Sequence, residues 1–183
     1  MVRLGLALAL LAGPAAAQCF GPPFPKTVHF EDGRTVHNLS HTAQDLTYSS
    51  TLPDGSPTVI TMRNGLFLIA ATSHGVTYSY SWVTPLPALA DLAPGFRGTF
   101  KADMTVEHAS RSFFQSDLEV LGDGEVRIDE CDYDVLVVRR KDKLDGKAIA
   151  DVTVWLSIPL GFSLRTDAEV DGTTRSFFVV SME

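Results

Sequence analysis

Glu107-His108-Ala109-Ser110 sets a carboxylate, an imidazole and a hydroxyl side by side. Those are the groups a serine hydrolase combines. Neighbours along an extended strand point to alternate faces, and the chain has no G-x-S-x-G nucleophile turn. The spacing therefore disfavours a hydrolase built on Ser110. The histidines are His29, His37, His41, His74 and His108, and they raise the question of a metal. A two-residue turn at Asp32-Gly33 would set Val28 opposite His37 and His29 opposite Val36, which puts those two imidazoles on opposite faces. His37 and His41 would share a face but stand ~13 Å apart at about 3.3 Å per residue, too far for one ion. Asp129, Glu130, Asp132 and Asp134 crowd around Cys131. They lack the D-x-D-x-D-G spacing of a calcium loop and read as a solvated acidic edge. Arg139-Arg140-Lys141 reads as a charged loop tip. No phosphate loop, zinc knuckle or nucleotide fingerprint occurs, so neither a metal nor a cofactor is expected.

The remaining reactive pair is Cys19 and Cys131. Arg3, the apolar run Leu4 to Ala12 and Ala15-Ala16-Ala17 match the three regions of a secretory signal peptide, with cleavage expected after Ala17. Gln18 is not the small residue that lipoprotein processing requires before a cysteine, so a soluble periplasmic or secreted product is expected. In that oxidising setting the two cysteines predict a disulfide worth up to about 4.7 kcal/mol in the chain-entropy model. Removing Arg3 takes the formal net charge from −7 to −8. That acidity argues against nucleic acid and anionic membrane surfaces as partners. Residues 18–183 are long enough for one domain with its own core, and no apolar span follows the signal.

The elements that would position these groups are strands. X-Gly turn dipeptides recur at Asp32-Gly33, Asp54-Gly55, Asn64-Gly65, His74-Gly75, Asp123-Gly124, Asp145-Gly146 and Asp171-Gly172, the strongest short-range hairpin signal. They delimit strands at 26–31, 34–40, 44–51, 58–63, 66–73, 76–83, 98–108, 113–121, 125–129, 131–140, 148–157, 162–170 and 173–181. One short helix is predicted at 86–92. The fold class is all-β: a curved antiparallel sheet, either a partly open barrel or a sandwich, with at most one or two short helices.

Hairpin arithmetic assembles a candidate surface. A two-residue turn at Asn64-Gly65 pairs Met62 with Phe67 and Ile60 with Ile69. A similar turn at His74-Gly75 pairs Ala71 with Tyr78, Ile69 with Tyr80 and Phe67 with Trp82. Ile60, Met62, Phe67, Ile69, Tyr78, Tyr80 and Trp82 then share one apolar face, which is either filled core or the wall of a ligand site. In the C-terminal half, the Asp171-Gly172 turn sets Leu164 against Val179 and Thr166 against Phe177.

The tail "DVTVWLSIPLGFSLRTDAEVDGTTRSFFVV", preceded by "CDYDVLVV", resembles the closing strands of secreted bacterial domains related to periplasmic lipoprotein-carrier half-barrels. In those domains a Trp-bearing strand (Val154-Trp155-Leu156-Ser157) turns at a Pro-containing link, and an Arg-bearing strand (Phe162-Ser163-Leu164-Arg165) and a last strand follow. The resemblance covers about 131–181 and implies a curved sheet able to hold an acyl chain or a lipidated partner. The chain itself shows no long helical pattern to plug the concave side.

Together these readings predict a non-enzymatic protein that binds a hydrophobic small molecule, lipid or lipidated protein on its curved sheet. The alternative is a structural or interaction module of the cell envelope with a filled interior.

Overall fold

The computed structural model describes residues 19, 24–42, 44–51, 55–107, 111–170 and 172–183. The expected signal peptide and the His108–Ser110 part of the acid–His–Ser run lie outside them. The strands form a closed antiparallel meander: β1 (Thr27–Phe30), β2 (Thr35–His41), β3 (Asp45–Thr51), β4 (Pro57–Arg63), β5 (Phe67–Ser73), β6 (Val76–Trp82), β7 (Arg97–Val106), β8 (Arg111–Ile128), β9 (Cys131–Leu144), β10 (Lys147–Ser157), β11 (Phe162–Val170) and β12 (Thr173–Met182). Each strand pairs with its chain neighbour, and β12 closes on β1 through Val28–Met182 and His29–Ser181. Of the two architectures expected, the sheet takes the barrel and closes it fully, which removes both edges.

Turn chemistry explains the up-and-down order. His74 (φ 51°) and Gly75 (φ 75°), and Asp145 (φ 48°) and Gly146 (φ 80°), occupy the left-handed region in succession, as a type I′ hairpin requires. In a meander every second connection falls at the same end. Asp32-Gly33, Gly55, His74-Gly75, Asp145-Gly146 and Gly172 therefore gather at one rim. The opposite end carries Asn64-Gly65-Leu66, the link 83–96, the Asp129-Glu130 turn and Ile158–Gly161. That end is sealed: Phe24, Leu66, Leu92 and Leu160 are buried there. The Cys19–Cys131 disulfide, expected from sequence, spans a separation of 112 residues and ties the N-terminal segment to this floor.

Several sequence expectations need correction. The Asp123-Gly124 turn does not form. The two predicted strands around it are one, β8, with a bulge between Val120 and Gly122. A Cβ on Gly124 would lie 3.1 Å from Val137 Cγ2, so this glycine serves a close approach between strands and not a reversal. The predicted helix at 86–92 shrinks to one 3-10 turn, Leu89–Asp91, in a link where Leu86 and Leu92 pack onto the sealed end. The β1–β2 register is one residue off: Val28 faces Val36 and His29 faces Thr35. His29 and His37 therefore lie on the same, outer face. A bulge between Asn38 and Ser40 shifts the phase of β2, so His37 and His41 no longer share one. Among the described residues no group of three or more His, Cys, Asp or Glu side chains converges.

The Asn64-Gly65 reversal takes a third residue, Leu66, so Arg63 pairs with Phe67 and Met62 with Leu68. A bulge between Thr61 and Met62 restores Ile60 opposite Ala71. The expected Met62–Phe67 and Ile60–Ile69 pairs are thus replaced, and Ile69 becomes the extra residue of the bulge. Gly65 has φ +65°, and a Cβ there would meet Gly161 O at 2.5 Å and Leu156 Cδ1 at 2.7 Å. Gly65→Ala is expected to cost about 2–3 kcal/mol from backbone strain and overpacking combined. Gly75→Ala, with φ +75° and open space around it, is expected to cost only about 1 kcal/mol. Urea denaturation of the two variants side by side checks the difference.

Candidate functional site

Inward-facing positions alternate with outward ones along the strands except where a bulge shifts the phase. The outer face carries a charge ladder: Arg97 with Glu119, Arg139 bidentate to Asp151 (3.0 and 2.8 Å), and Lys143 with Asp117 (3.0 Å). Asp151 is held below the usual carboxylate range mainly by the hydrogen bonds from Arg139. A charged exterior around an apolar interior is the inverse of an outer-membrane barrel, whose apolar band faces lipid.

The interior is filled in one half and hollow in the other. In the filled half, Phe67 packs edge-to-face on Trp82 (centroids 5.3 Å) and Phe100 (4.9 Å), and Tyr80 and Trp82 pack edge-to-face on Phe114 (5.1 and 5.8 Å). The indole Nε1–H of Trp82 donates to the Leu68 carbonyl at 2.9 Å. Phe67 and Trp82 thus lie on a common side, as the sequence pattern predicts.

Among the described residues, two cavities open on the interior. The larger, about 320 Å³, runs from Arg34 and Phe177 near the turn-bearing rim, past Val36, Ile60 and Val152, to Gly65 and Phe162 at the sealed floor. Tyr48, Ser50, Thr58, Ser163 and Thr166 add hydroxyls to its wall. The smaller, about 210 Å³, lies among Leu68, Tyr80, Trp82, Phe114, Ser116 and Asp142. Arg140 lines both.

The seven residues expected on one apolar surface therefore divide. Ile60 and Met62 line the larger cavity, and Tyr80 and Trp82 the smaller. Phe67, 1% exposed, is core. Tyr78 packs against the Ala102, Met104 and Phe114 cluster. Ile69 is half-buried and lines neither cavity.

Arg140 is the feature that sequence reading misplaced. It is no loop tip: β9 continues to Leu144, and residue 140 keeps the inward phase of Leu136 and Val138, which pair with Leu156 and Val154. Its Nη1 donates to the Leu66 carbonyl at 2.7 Å, and its Nε lies 3.0 Å from Asp142 Oδ2. The Nε–H is poorly aligned with that carboxylate and makes no hydrogen bond. Asp142 is 5% exposed and accepts a hydrogen bond from the Ser116 hydroxyl at 2.7 Å. The Asp142 carboxylate is buried and Arg140 half-buried, and an ion pair placed in a β interior is costly to desolvate and contributes little net stability.

Arg34 differs. Its Nε–H donates to Asp32 at 2.6 Å, and its guanidinium lies 4.9 Å from the centroids of both Phe30 and Phe177.

Tyr48 reports on the hollow half. Burial pushes its phenol up to about 12, although Arg34 and Arg140 pull the other way. The folded state therefore holds this proton where the unfolded chain, at ~10, releases it. The resulting stabilisation is fully present below pH ~10 and is lost as pH rises to about 12. Phenolate absorbance of the wild type against Tyr48→Phe is expected to show one tyrosine ionising only in that window, together with unfolding.

No family model matches the sequence, and no curated protein does. Among solved structures, the hypothetical lipoprotein YmcC from Escherichia coli (K12) superposes with a TM-score of 0.51 at 11% identity, covering 86% of this chain and 83% of that one. A protein from Parabacteroides distasonis, named a lipoprotein by inference only, aligns with a TM-score of 0.43 at 13% identity, covering 87% of this chain and 97% of that one. The disulfide points to an oxidising, extracytoplasmic setting, and the likeness to YmcC shows a shared β-barrel fold.

Proposed function

We propose that this protein is an extracytoplasmic, envelope-associated and non-enzymatic binder of a hydrophobic ligand. The ligand is a lipid or the acyl chain of a lipidated partner, and it sits inside the barrel and not on its surface. The observation that carries this reading is the hollow half. Protein interiors are close-packed, with few voids larger than a water molecule. Here a cavity of about 320 Å³ persists beside a tightly filled cluster, at the lower end of the range for small-molecule sites. Its walls are mostly apolar, with a few hydroxyls to orient a polar group, and it reaches toward the turn-bearing rim. The resemblance of the C-terminal strands to lipoprotein-carrier domains agrees with this reading, as does the lipoprotein name of the E. coli neighbour.

A structural or interaction module is the second reading, favoured by the packed Phe67–Trp82–Phe100–Phe114 half. Native mass spectrometry of protein purified from its own compartment separates the two. The binder is expected to carry a stoichiometric lipid adduct that organic solvent releases. Protein that arrives bare, and takes up no dodecanol when offered it, would overturn the binder in favour of the module.

A further inference from the structure

The larger cavity has a charge pattern that its apolar walls do not require. Among the described residues, two guanidiniums, Arg34 and Arg140, line it and no carboxylate does. Asp142, the counter-ion of Arg140, lines the smaller cavity instead. The two cations are not equivalent. Arg34 sits by the rim with its charge met by Asp32 and its planar faces near Phe30 and Phe177. Arg140 sits inside. A guanidinium has five N–H donors. Arg140 gives one to the Leu66 carbonyl, and its Nε–H approaches Asp142 without the alignment of a hydrogen bond. Among the described residues Arg140 makes no second side-chain hydrogen bond, and its Nε is buried without a hydrogen-bond partner. A buried donor without a partner is rare and costly, and a half-buried Arg fork facing a cavity is suited to a carboxylate or phosphate gripped by two parallel bonds.

We infer that the ligand is a single-chain amphiphile with an anionic head. The head is seated on Arg140 at the inner end of the larger cavity, and the tail runs along Ile60, Val36, Val152 and Phe177 toward the rim. This deepens the binding function proposed above and rests on it. The geometry gives each part of the ligand a counterpart. The head meets the guanidinium fork in a low-dielectric interior, on the side of Arg140 away from Asp142. Tyr48, Ser50, Thr58 and Ser163 supply hydroxyls along the wall. The tail replaces an empty apolar volume, with a driving force of roughly 25 cal/mol per Å² of surface removed from water. A neutral ligand of the same length gains the apolar burial and makes no charge-assisted bond to Arg140. Charge on the head, and not chain length alone, then sets affinity.

The test compares dodecanoate, dodecyl phosphate and dodecanol by titration calorimetry on the oxidised, delipidated mature protein near neutral pH. The expected result is one site, with at least one of the two anions bound about tenfold or more tightly than the alcohol, the scale of a charge-assisted bond made away from water. Whichever anion binds more tightly identifies the head as carboxylate or phosphate. Arg140→Gln with Asp142→Asn removes both charges and keeps the polar shapes, so no lone buried charge threatens folding. This double variant is expected to bind dodecanol as the wild type does and to lose the preference for the anion. Arg34→Gln is expected to keep that preference. Equal affinity of the wild type for all three probes overturns the anionic head while leaving a hydrophobic binder standing. A preference that survives in the double variant removes Arg140 as the anchor and overturns the inference. Failure of all three probes to bind removes the binding function itself, and the inference with it.

Discussion

Phe67→Ala is expected to destabilise the barrel by about 3–5 kcal/mol, the range for truncating a buried phenylalanine. The residue is 1% exposed, belongs to a cluster with Leu92, Leu118, Val138 and Leu156, and lines neither interior cavity. Its ring is clamped edge-to-face by Trp82 and Phe100. Truncation therefore opens a void that the fixed strands around it cannot collapse to fill, and it forfeits two aromatic contacts worth about 0.5–1.5 kcal/mol each beyond area burial. Ile60→Ala offers the contrast. Ile60 is half-buried and faces a space that already exists, so removing it enlarges a cavity instead of creating one. The expected cost is nearer 1–2 kcal/mol, below the usual aliphatic range for fully buried sites, with the loss falling on ligand affinity. Urea denaturation of delipidated protein measures both. Equal losses for the two variants would mean that the hollow half is as tightly packed as the filled half, which would leave the binding function without a site.

The two substitutions fall on residues that looked alike in the sequence. Ile60 and Phe67 both entered a single apolar face because alternation and X-Gly turns were legible there, and much of the fold was legible by the same logic. His74-Gly75 gave the β5–β6 register correctly at Ala71–Tyr78, and the Asp171-Gly172 turn gave Thr166 opposite Phe177. The errors arose where one residue was inserted. Leu66 in the β4–β5 reversal, Ile69 in the bulge and Leu39 in β2 each shift phase by one. Nothing in their types distinguishes an extra residue from a paired one. Whether β12 meets β1 is set by sheet curvature and strand stagger summed around the barrel, which no local pattern encodes. Arg140 was misread for another reason. Three consecutive basic residues look like a solvated loop, yet Val138, Arg140, Asp142 and Leu144 continue the inward phase of β9. Following that phase beyond the first charge would have set an Arg and an Asp inside the barrel.

That pair supports the second large effect. Asp142→Leu is expected to cost about 3–5 kcal/mol, although it replaces a charged residue with an apolar one at a 5% exposed position. The loss is not the strength of the ion pair. Leucine strands the Arg140 guanidinium in the interior without a counter-ion and leaves the Ser116 hydroxyl without its acceptor, and each stranded group retains its desolvation penalty. Arg140→Met combined with Asp142→Leu removes both charges and is expected to restore stability to near that of the wild type or above it, since apolar replacements of buried pairs are often neutral or stabilising. A double-mutant cycle in urea measures the coupling directly. A strongly favourable coupling with a near-neutral double variant means that folding does not need these charges. Their place inside the barrel is then accounted for by what they bind. A double variant as unstable as Asp142→Leu alone would mean that the pair holds β8 and β9 in register, and Arg140 would be a structural residue first.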